Sequence, residues 1–379
     1  MVIGIDIRVL GSHAKSGIEE YTENLLSHIL SLNGNIRFKL FYSSLRKEPL
    51  NYDWIRLPNV ELYRLKIPNK LLFVANSFLG YPRVDELIGG VDVFFSPHFL
   101  LTAVTPECKR VITFHDLSYE YFPDFFSWRR NMWHIQMKPL EQLRFADKII
   151  AVSKSTKTDL CNRYLIDPAK VEVIYSGISE LIKKPTDRAL QDFKSKNNLP
   201  DQFILFLAKL EPRKNITGII KAFRILKKSG KFDNLHLLIA GSPGWLYKEI
   251  FNEASRSEYK DQIIFKNHIE DGDRSSYYSL ASVFVYPSFF EGFGFPPLEA
   301  MSCGTPVVVS NNSSLPEVVG GGGVLVDPYN VYEISFAISA ILTDDLLRAK
   351  IIFQGFETVK RFNWQEAARK TLTCLTAGL

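Results

Sequence analysis

Val283-Phe284-Val285-Tyr286-Pro287-Ser288-Phe289-Phe290-Glu291-Gly292-Phe293-Gly294-Phe295-Pro296-Pro297-Leu298-Glu299-Ala300-Met301-Ser302-Cys303-Gly304 reads as one strand, one loop and one helix. Its opening apolar run has no polar alternation, as expected of a strand covered on both faces. The strand is predicted to end at Ser288. Two glycines and a glutamate fill the loop, Pro296 and Pro297 suit the first turn of a helix, and Gly304 suits its stop.

The same alternation extends in both directions. Upstream of it lie Phe203–Leu207, Leu235–Ala240 and Ile263–Phe265, and downstream Pro306–Val309 and Val324–Val326. An earlier series comprises Val2–Val9, Arg37–Tyr42, Val91–Phe95, Arg110–Phe114, Lys148–Val152 and Val171–Tyr175. Helix-length amphipathic segments separate the runs, the pattern of parallel sheets with helices on both faces. The expected fold class is therefore α/β, with two parallel-sheet domains carrying helices on both faces. Glycine, proline and charge break both periodicities in Ser176–Ser179 and Lys183–Asp187, so the boundary is placed there. Residues 1–180 form the predicted first domain and 181–357 the second. A terminal helix at about 358–379 has no strand to lead into and is expected to pack back across the cleft, periodicity leaving open which domain receives it.

Composition narrows the class. The 379 residues are 46% apolar and 23% charged, which excludes disorder and fibrous repeats. Forty-six Lys and Arg against 41 Asp and Glu leave only +5, so no strongly basic half is offered to nucleic acid. Cys108, Cys161, Cys303 and Cys374 form no CxxC pair, which disfavours a disulfide framework or a thiolate zinc site and fits a reducing cytoplasm. Met1–Arg8 reads as a strand rather than a secretory leader, and no apolar run approaches the length of a membrane span.

In open parallel sheets ligands sit beyond the carboxyl ends of the strands. At the end of the quoted strand, Gly292 and Gly294 let backbone amides approach a ligand, and the helix start favours an anion such as phosphate. Glu299 lies one turn into that helix, where it can accept from sugar hydroxyls, and Glu291 projects from the loop. The plainer alternative is that Glu299 complements the helix dipole and Glu291 is a surface residue. Arg213 and Lys214 follow the strand Phe203–Leu207 and suggest a clamp for a diphosphate, against the alternative of an exposed pair beside a helix cap at Asn215. His115 ends another strand and could bond a sugar hydroxyl or shuttle a proton, although structural histidines are common. Gly11–Gly17 is a glycine-bounded loop after the first strand.

No GxGxxG follows the first strand and no GxxxxGK[ST] occurs, which disfavours a nicotinamide dehydrogenase and a P-loop NTPase. Asp271 and Asp273 could hold a divalent metal, but Asp273 reads as the N-cap of the helix after it. No metal is predicted. Trp128–Lys138 mixes aromatics and cations at helical spacing, which suits an anionic membrane surface or a helix with one packed and one solvated face.

Glu291 and Glu299, set in Ser288…Glu291-Gly292-Phe293-Gly294-Phe295-Pro296-Pro297-Leu298-Glu299-Ala300, resemble the signature of retaining glycosyltransferases of the GT-B fold, group 1 or family 4 type. Leu210–Asn215, Phe114-His115-Asp116-Leu117, Ala146–Ser153 and Ser313–Glu317 match further landmarks in the same order. The resemblance implies two Rossmann-like domains facing a cleft, with the nucleotide held mainly by the second and the last helix crossing back to the first. It implies that Arg213 and Lys214 neutralise the donor diphosphate and that Glu299 binds the ribose. Glu291, with the amides of Gly292, Phe293 and Gly294, would contact the transferred sugar or its phosphate beside Ser288, and His115 would touch the donor sugar. Gly17 matches the family's glycine loop, but Glu19 stands where many relatives carry a second glycine. Arg213, Lys214, Glu291 and His115 make up the implied catalytic set. The implied reaction needs no metal or other cofactor and moves a hexose, with retention, from a nucleotide sugar to a saccharide or lipid-linked saccharide in cell-surface polysaccharide assembly. GDP-mannose is favoured over UDP-sugars as donor. The expected location is cytoplasmic, with peripheral contact on the inner membrane face. The alternatives are a sugar-nucleotide epimerase or phosphorylase of similar fold, and a non-catalytic two-domain sugar-binding protein.

Overall fold

The computed structural model describes residues 1–11, 17–45 and 50–377. Contacts divide the chain into two units. The first comprises Met1–Leu117, Trp128–Gly177 and Asn363–Leu379, and the second Ser118–Ser127 and Ile178–Phe362.

The first unit is built on a seven-stranded sheet of β1 (Val2–Asp6), β2 (Arg37–Ser43), β3 (Val60–Leu65), β4 (Val93–Ser96), β5 (Lys109–Phe114), β6 (Lys148–Ala151) and β7 (Val171–Val173). The order is β3-β2-β1-β4-β5-β6-β7, every pairing parallel. Central strands are buried beyond their first residues, with Ile3, Ile5, Phe94, Phe95, Ile149 and Ile150 all inaccessible to solvent. Edge strand β3 differs: Glu61 and Leu62 are exposed and the rest is half-buried, so its sequence lacks the unbroken apolar run by which its neighbours are recognised. The first strand also stops at Asp6 rather than Val9, because Arg8–Gly11 turns into a 3-10 helix.

The terminal helix Trp364–Thr376 packs on helix Gly17–Ile29 inside this unit. Asn363 caps it, its side chain accepting from the amides of Gln365 and Glu366. The Trp364 ring meets Tyr21 at 5.8 Å. Gly177 makes the seat: a Cβ there would lie 2.3 Å from the Trp364 nitrogen, so no other residue fits without moving backbone. The segment that belongs to the first unit begins at Asn363, not 358, because Asp345–Val359 is a continuous helix of the second unit.

The second unit carries a six-stranded parallel sheet of β8 (Gln202–Leu207), β9 (Leu235–Ala240), β10 (Ile263–Lys266), β11 (Val283–Tyr286), β12 (Val307–Ser310) and β13 (Gly323–Val326), in the order β10-β9-β8-β11-β12-β13. Helix Ile216–Lys228 buries Ile216, Ile219, Ile220, Phe223 and Leu226, an i, i+3, i+4, i+7 face. The strand order reverses direction between β8 and β11, the switch point where a doubly wound sheet opens a crevice for ligands. The Arg213–Lys214 segment follows β8 and the Glu291 loop follows β11. The ten residues Ser118–Ser127, which the sequence assigns to the first domain, pack with this second unit instead.

Candidate active site

After β8 the chain forms a short 3-10 turn, Pro212–Lys214, which brings two cations to the switch point of the second unit. They are not displayed to solvent. Arg213 Nη1 donates to Glu291 Oε2 at 3.0 Å and to the Phe290 carbonyl at 2.6 Å, while its Nε and Nη2 donate to Glu211 Oε1 at 3.1 and 2.8 Å. Lys214 Nζ donates to Glu291 Oε1 at 2.6 Å and to the Tyr286 hydroxyl at 2.5 Å. Glu291 thus bridges both cations with its two oxygens. Burial alone would push its carboxyl up, but Arg213 and then Lys214 outweigh it and hold the group at about 2. Burial and the Glu291 charge push the Tyr286 phenol well above its ordinary value, so it stays protonated.

The Glu291 loop is fixed from both sides. Its own amide donates to Ser313 Oγ at 3.0 Å, and Ser314 Oγ donates to the carbonyls of Glu291 and Phe293 at 2.9 and 2.7 Å. Gly294 has φ of 110° and precedes helix Phe295–Ser302, with Pro296 and Pro297 in its first turn. A Cβ at Gly294 would lie 2.7 Å from Leu315, so both conformation and space require glycine. The Phe293 side chain is a packing group, its ring 5.1 Å from Phe295 and 5.6 Å from Phe362. Ser288, expected to be the last strand residue, lies two residues beyond β11, fully buried, and its carbonyl accepts from Ser310 Oγ at 2.5 Å.

Glu299 is 1% exposed. Its Oε1 is engaged by the Arg274 guanidinium and its Oε2 accepts from the Tyr278 hydroxyl at 2.7 Å. Neither partner carries a sequence signal, since both lie on helix Arg274–Leu280, more than twenty residues away. Glu299→Ala is therefore expected to act twice. It raises the donor KM if the carboxylate meets the ribose, and it costs about 1–3 kcal/mol by removing the buried acceptor of the Tyr278 hydroxyl and one of the two carboxylates that face the half-buried Arg274. Urea unfolding beside donor kinetics separates the two effects.

In the first unit, His115 follows β5. The acceptor-only Pro97 carbonyl lies 2.8 Å from Nε2, so the proton is assigned to Nε2 and Nδ1 is the acceptor. Burial lowers the imidazole pKa, which keeps the ring neutral near pH 7, and Tyr21 meets it edge-on at 4.8 Å. Gly17 begins helix Gly17–Ile29, and the rest of the Gly11–Gly17 loop, residues 12–16, lies outside the described residues. The predicted site residues therefore divide by unit. Arg213, Lys214, Ser288, Glu291, Gly292, Phe293, Gly294 and Glu299 belong to the second, and His115 and Gly17 to the first.

Asp271–Asp273 forms a 3-10 turn, and Asp273 occupies the N-cap position without a side-chain capping bond. Among the described residues there is no group of three or more His, Cys, Asp or Glu placed to hold a metal ion. Glu211, Tyr286, Arg274, Tyr278, Ser313 and Ser314 complete the site and carried no assigned role in the sequence. Tyr286, inside Val283–Gly304, Glu211, inside Leu210–Asn215, and the serines, inside Ser313–Glu317, stood in segments already singled out, whereas Arg274 and Tyr278 did not.

The paired cations, the buried bridging glutamate and the helix start after Gly294 gather at the switch point of a doubly wound α/β sheet, where such domains open a crevice for ligands. Residues 187–358 match the model of the glycosyl transferases group 1 family, and residues 15–180 that of glycosyltransferase family 4. The chain is 30% identical over 329 residues to the O-antigen chain mannosyltransferase B of Escherichia coli, covering 86% of this chain and 80% of that one. It is 26% identical to the O-antigen chain mannosyltransferase RfbU of Salmonella typhimurium, covering 74% of each. Among solved structures it resembles sucrose-phosphate synthase from Thermosynechococcus elongatus (TM-score 0.76, 21% identity, 98% of this chain and 97% of that one). It also resembles WaaG, a glycosyltransferase involved in lipopolysaccharide biosynthesis (TM-score 0.74, 15% identity, all of both chains). The protein belongs to the group 1, family 4 glycosyltransferases, with the two Rossmann-like domains of the GT-B fold.

Proposed function

We propose that this glycosyltransferase moves mannose from GDP-mannose, with retention of the α configuration and without a metal, to a saccharide or lipid-linked saccharide of a cell-surface polysaccharide. The observation that carries the reading is the Arg213–Lys214–Glu291 arrangement at the switch point. The preference for mannose rests on the relatives named as mannosyltransferases, among them WbdA of Escherichia coli, 32% identical over 252 residues although this chain spans only 31% of it. The fold also accommodates a UDP-sugar: HepE of Anabaena, a structural neighbour at 18% identity, was solved with UDP-glucose.

In the proposed reaction the bond between the anomeric carbon and the diphosphate oxygen breaks, and the electron pair leaves with the diphosphate. The acceptor oxygen bonds the same face of that carbon, and its proton passes to the departing phosphate oxygen. Negative charge on the phosphate grows as the sugar becomes oxocarbenium-like, so Arg213 and Lys214 stabilise the transition state more than the ground state. Their bonds to Glu211 and Glu291 fix both cations before the donor arrives, which removes the cost of organising them during the reaction. The neutral His115, with an acceptor nitrogen at Nδ1, suits a sugar hydroxyl that donates.

A lipid-linked acceptor calls for a surface that meets a membrane. No helix among the described residues is long and apolar enough to cross one. Helix Trp128–Gln136 of the first unit buries none of its residues and exposes Trp128, Met132 and Ile135, with Arg129 and Arg130 on the same segment. Lys138 Nζ donates to the Ser77 carbonyl at 3.3 Å, tying this segment to helix Asn69–Leu79, which exposes Leu71, Val74, Phe78 and Leu79. We read this apolar and basic pair of helices as the face that rests on the anionic inner leaflet. Flotation should recover the protein with anionic vesicles, and Trp128→Ser with Ile135→Ser should abolish recovery. Flotation unchanged in that variant removes the assignment.

Melting-temperature shifts with GDP-mannose, UDP-glucose and ADP-glucose test the donor, because a ligand of the native state raises its midpoint. GDP-mannose is expected to give the largest shift. Turnover of donor without acceptor would point to an epimerase, and turnover only with inorganic phosphate to a phosphorylase.

A further inference from the structure

The residues Ser118–Ser127 follow His115-Asp116-Leu117 directly in sequence, yet they pack within the second unit. They do so through rings. Tyr121 stacks on Phe290 at 5.5 Å with 26° between the planes, and Phe122 lies tilted against the same ring at 5.9 Å. Phe125 stacks on Phe289 at 5.3 Å, and Phe126 stacks on Trp245 at 5.5 Å. Trp245 Nε1 donates to the Phe125 carbonyl at 2.5 Å, which pins the backbone as well.

The two phenylalanines under these rings are the ones whose main chain holds Arg213. The Phe289 amide donates to the Arg213 carbonyl at 2.9 Å, and the Phe290 carbonyl accepts from Arg213 Nη1 at 2.6 Å. Glu291 follows immediately. The backbone and guanidinium of Arg213 therefore refer their position to a dipeptide whose side chains are clamped by the Ser118–Ser127 rings. Tyr329 adds a further ring contact, tilted against Phe289 at 4.8 Å.

We propose that Ser118–Ser127, with Trp245, is a positioning strap for the diphosphate site: it sets the Phe289-Phe290 main chain and so aims the Arg213 guanidinium at the departing phosphate. The inference rests on the proposed transfer reaction and adds to it a group of residues that touch no substrate. Charge builds on the phosphate in the transition state, so a misaimed Arg213 weakens that state more than it weakens donor binding. Loosening the strap is therefore read in kcat and leaves the donor KM nearly unchanged.

The test uses the full chain with GDP-mannose and compares Phe125→Ala, Phe125→Tyr, Trp245→Phe and, as reference, Arg213→Ala. Displacements of about an ångström in a catalytic group can cost up to about a hundredfold, so Phe125→Ala is expected to lower kcat at least about tenfold with donor KM held within about twofold. Phe125→Tyr keeps the ring and should restore the rate. Trp245→Phe keeps the stacking but removes the N–H donor, and should show the same selective loss in kcat with an unchanged melting point. If Phe125→Ala fails to fold, Trp245→Phe alone decides. Wild-type kcat in the strap variants, or a loss carried by KM, overturns the strap provided Arg213→Ala is impaired. Wild-type transfer in Arg213→Ala overturns the diphosphate assignment, and the strap with it.

Discussion

Arg213→Ala is expected to cut transfer by about 10²–10³-fold, the cost found when one preorganised donor to a developing anion is removed. At roughly 1.4 kcal/mol per tenfold this is about 3–4 kcal/mol of transition-state stabilisation. Lys214→Ala should lose a comparable amount of activity. Both side chains are almost buried, Arg213 against Glu211 and Glu291 and Lys214 against Glu291 and Tyr286. Removing either strands a buried carboxylate with one cation fewer, so each variant should also lose about 3–5 kcal/mol in urea unfolding, and kcat/KM is compared on the folded fraction. Wild-type kcat/KM in both variants would remove the diphosphate assignment.

Glu291→Gln carries the second large effect. The amide cannot balance two cations, so Arg213 and Lys214 lose the group that orients them, and transfer should fall by about 10²-fold or more. The variant also has a pH signature. Arg213 and Lys214 hold the folded Glu291 carboxyl at about 2, below its ordinary 4.5. A depressed folded value means that the ionised group adds stability above the ordinary pKa and that this stability is lost as pH falls from 4.5 through 2. Wild type should therefore weaken steeply over that interval, and Glu291→Gln should show a shallower slope. Equal slopes would mean that Glu291 is not held ionised. In a same-face mechanism no hexose becomes attached to Glu291, so the intact mass of wild-type protein during turnover should show no glycosylated form.

The two sheets were legible because buried parallel strands write themselves as largely apolar runs, and of the thirteen strands among the described residues twelve lie in such runs. The exception, β3, is an edge strand with exposed positions and so lacks the signature. Local chemistry was legible too: Pro296, Pro297 and Gly304 mark the helix after the Glu291 loop as the structure has it. What the sequence hides is pairing across distance. Arg213 and Glu291 stand 78 residues apart, and Lys214 and Tyr286 stand 72 apart. No periodicity reports that adjacent cations will be buried against glutamates rather than held open. The Ser118–Ser127 segment was hidden for the same reason, since aromatic residues in a connecting stretch do not say which sheet they will cover.

The most direct measurement is a crystal structure with GDP-mannose or GDP bound. The account predicts the diphosphate beyond the carboxyl ends of β8 and β11, with phosphate oxygens within hydrogen-bond reach of Arg213 and Lys214. A nucleotide bound elsewhere, with Arg213 and Lys214 still turned only to Glu211 and Glu291, would contradict it.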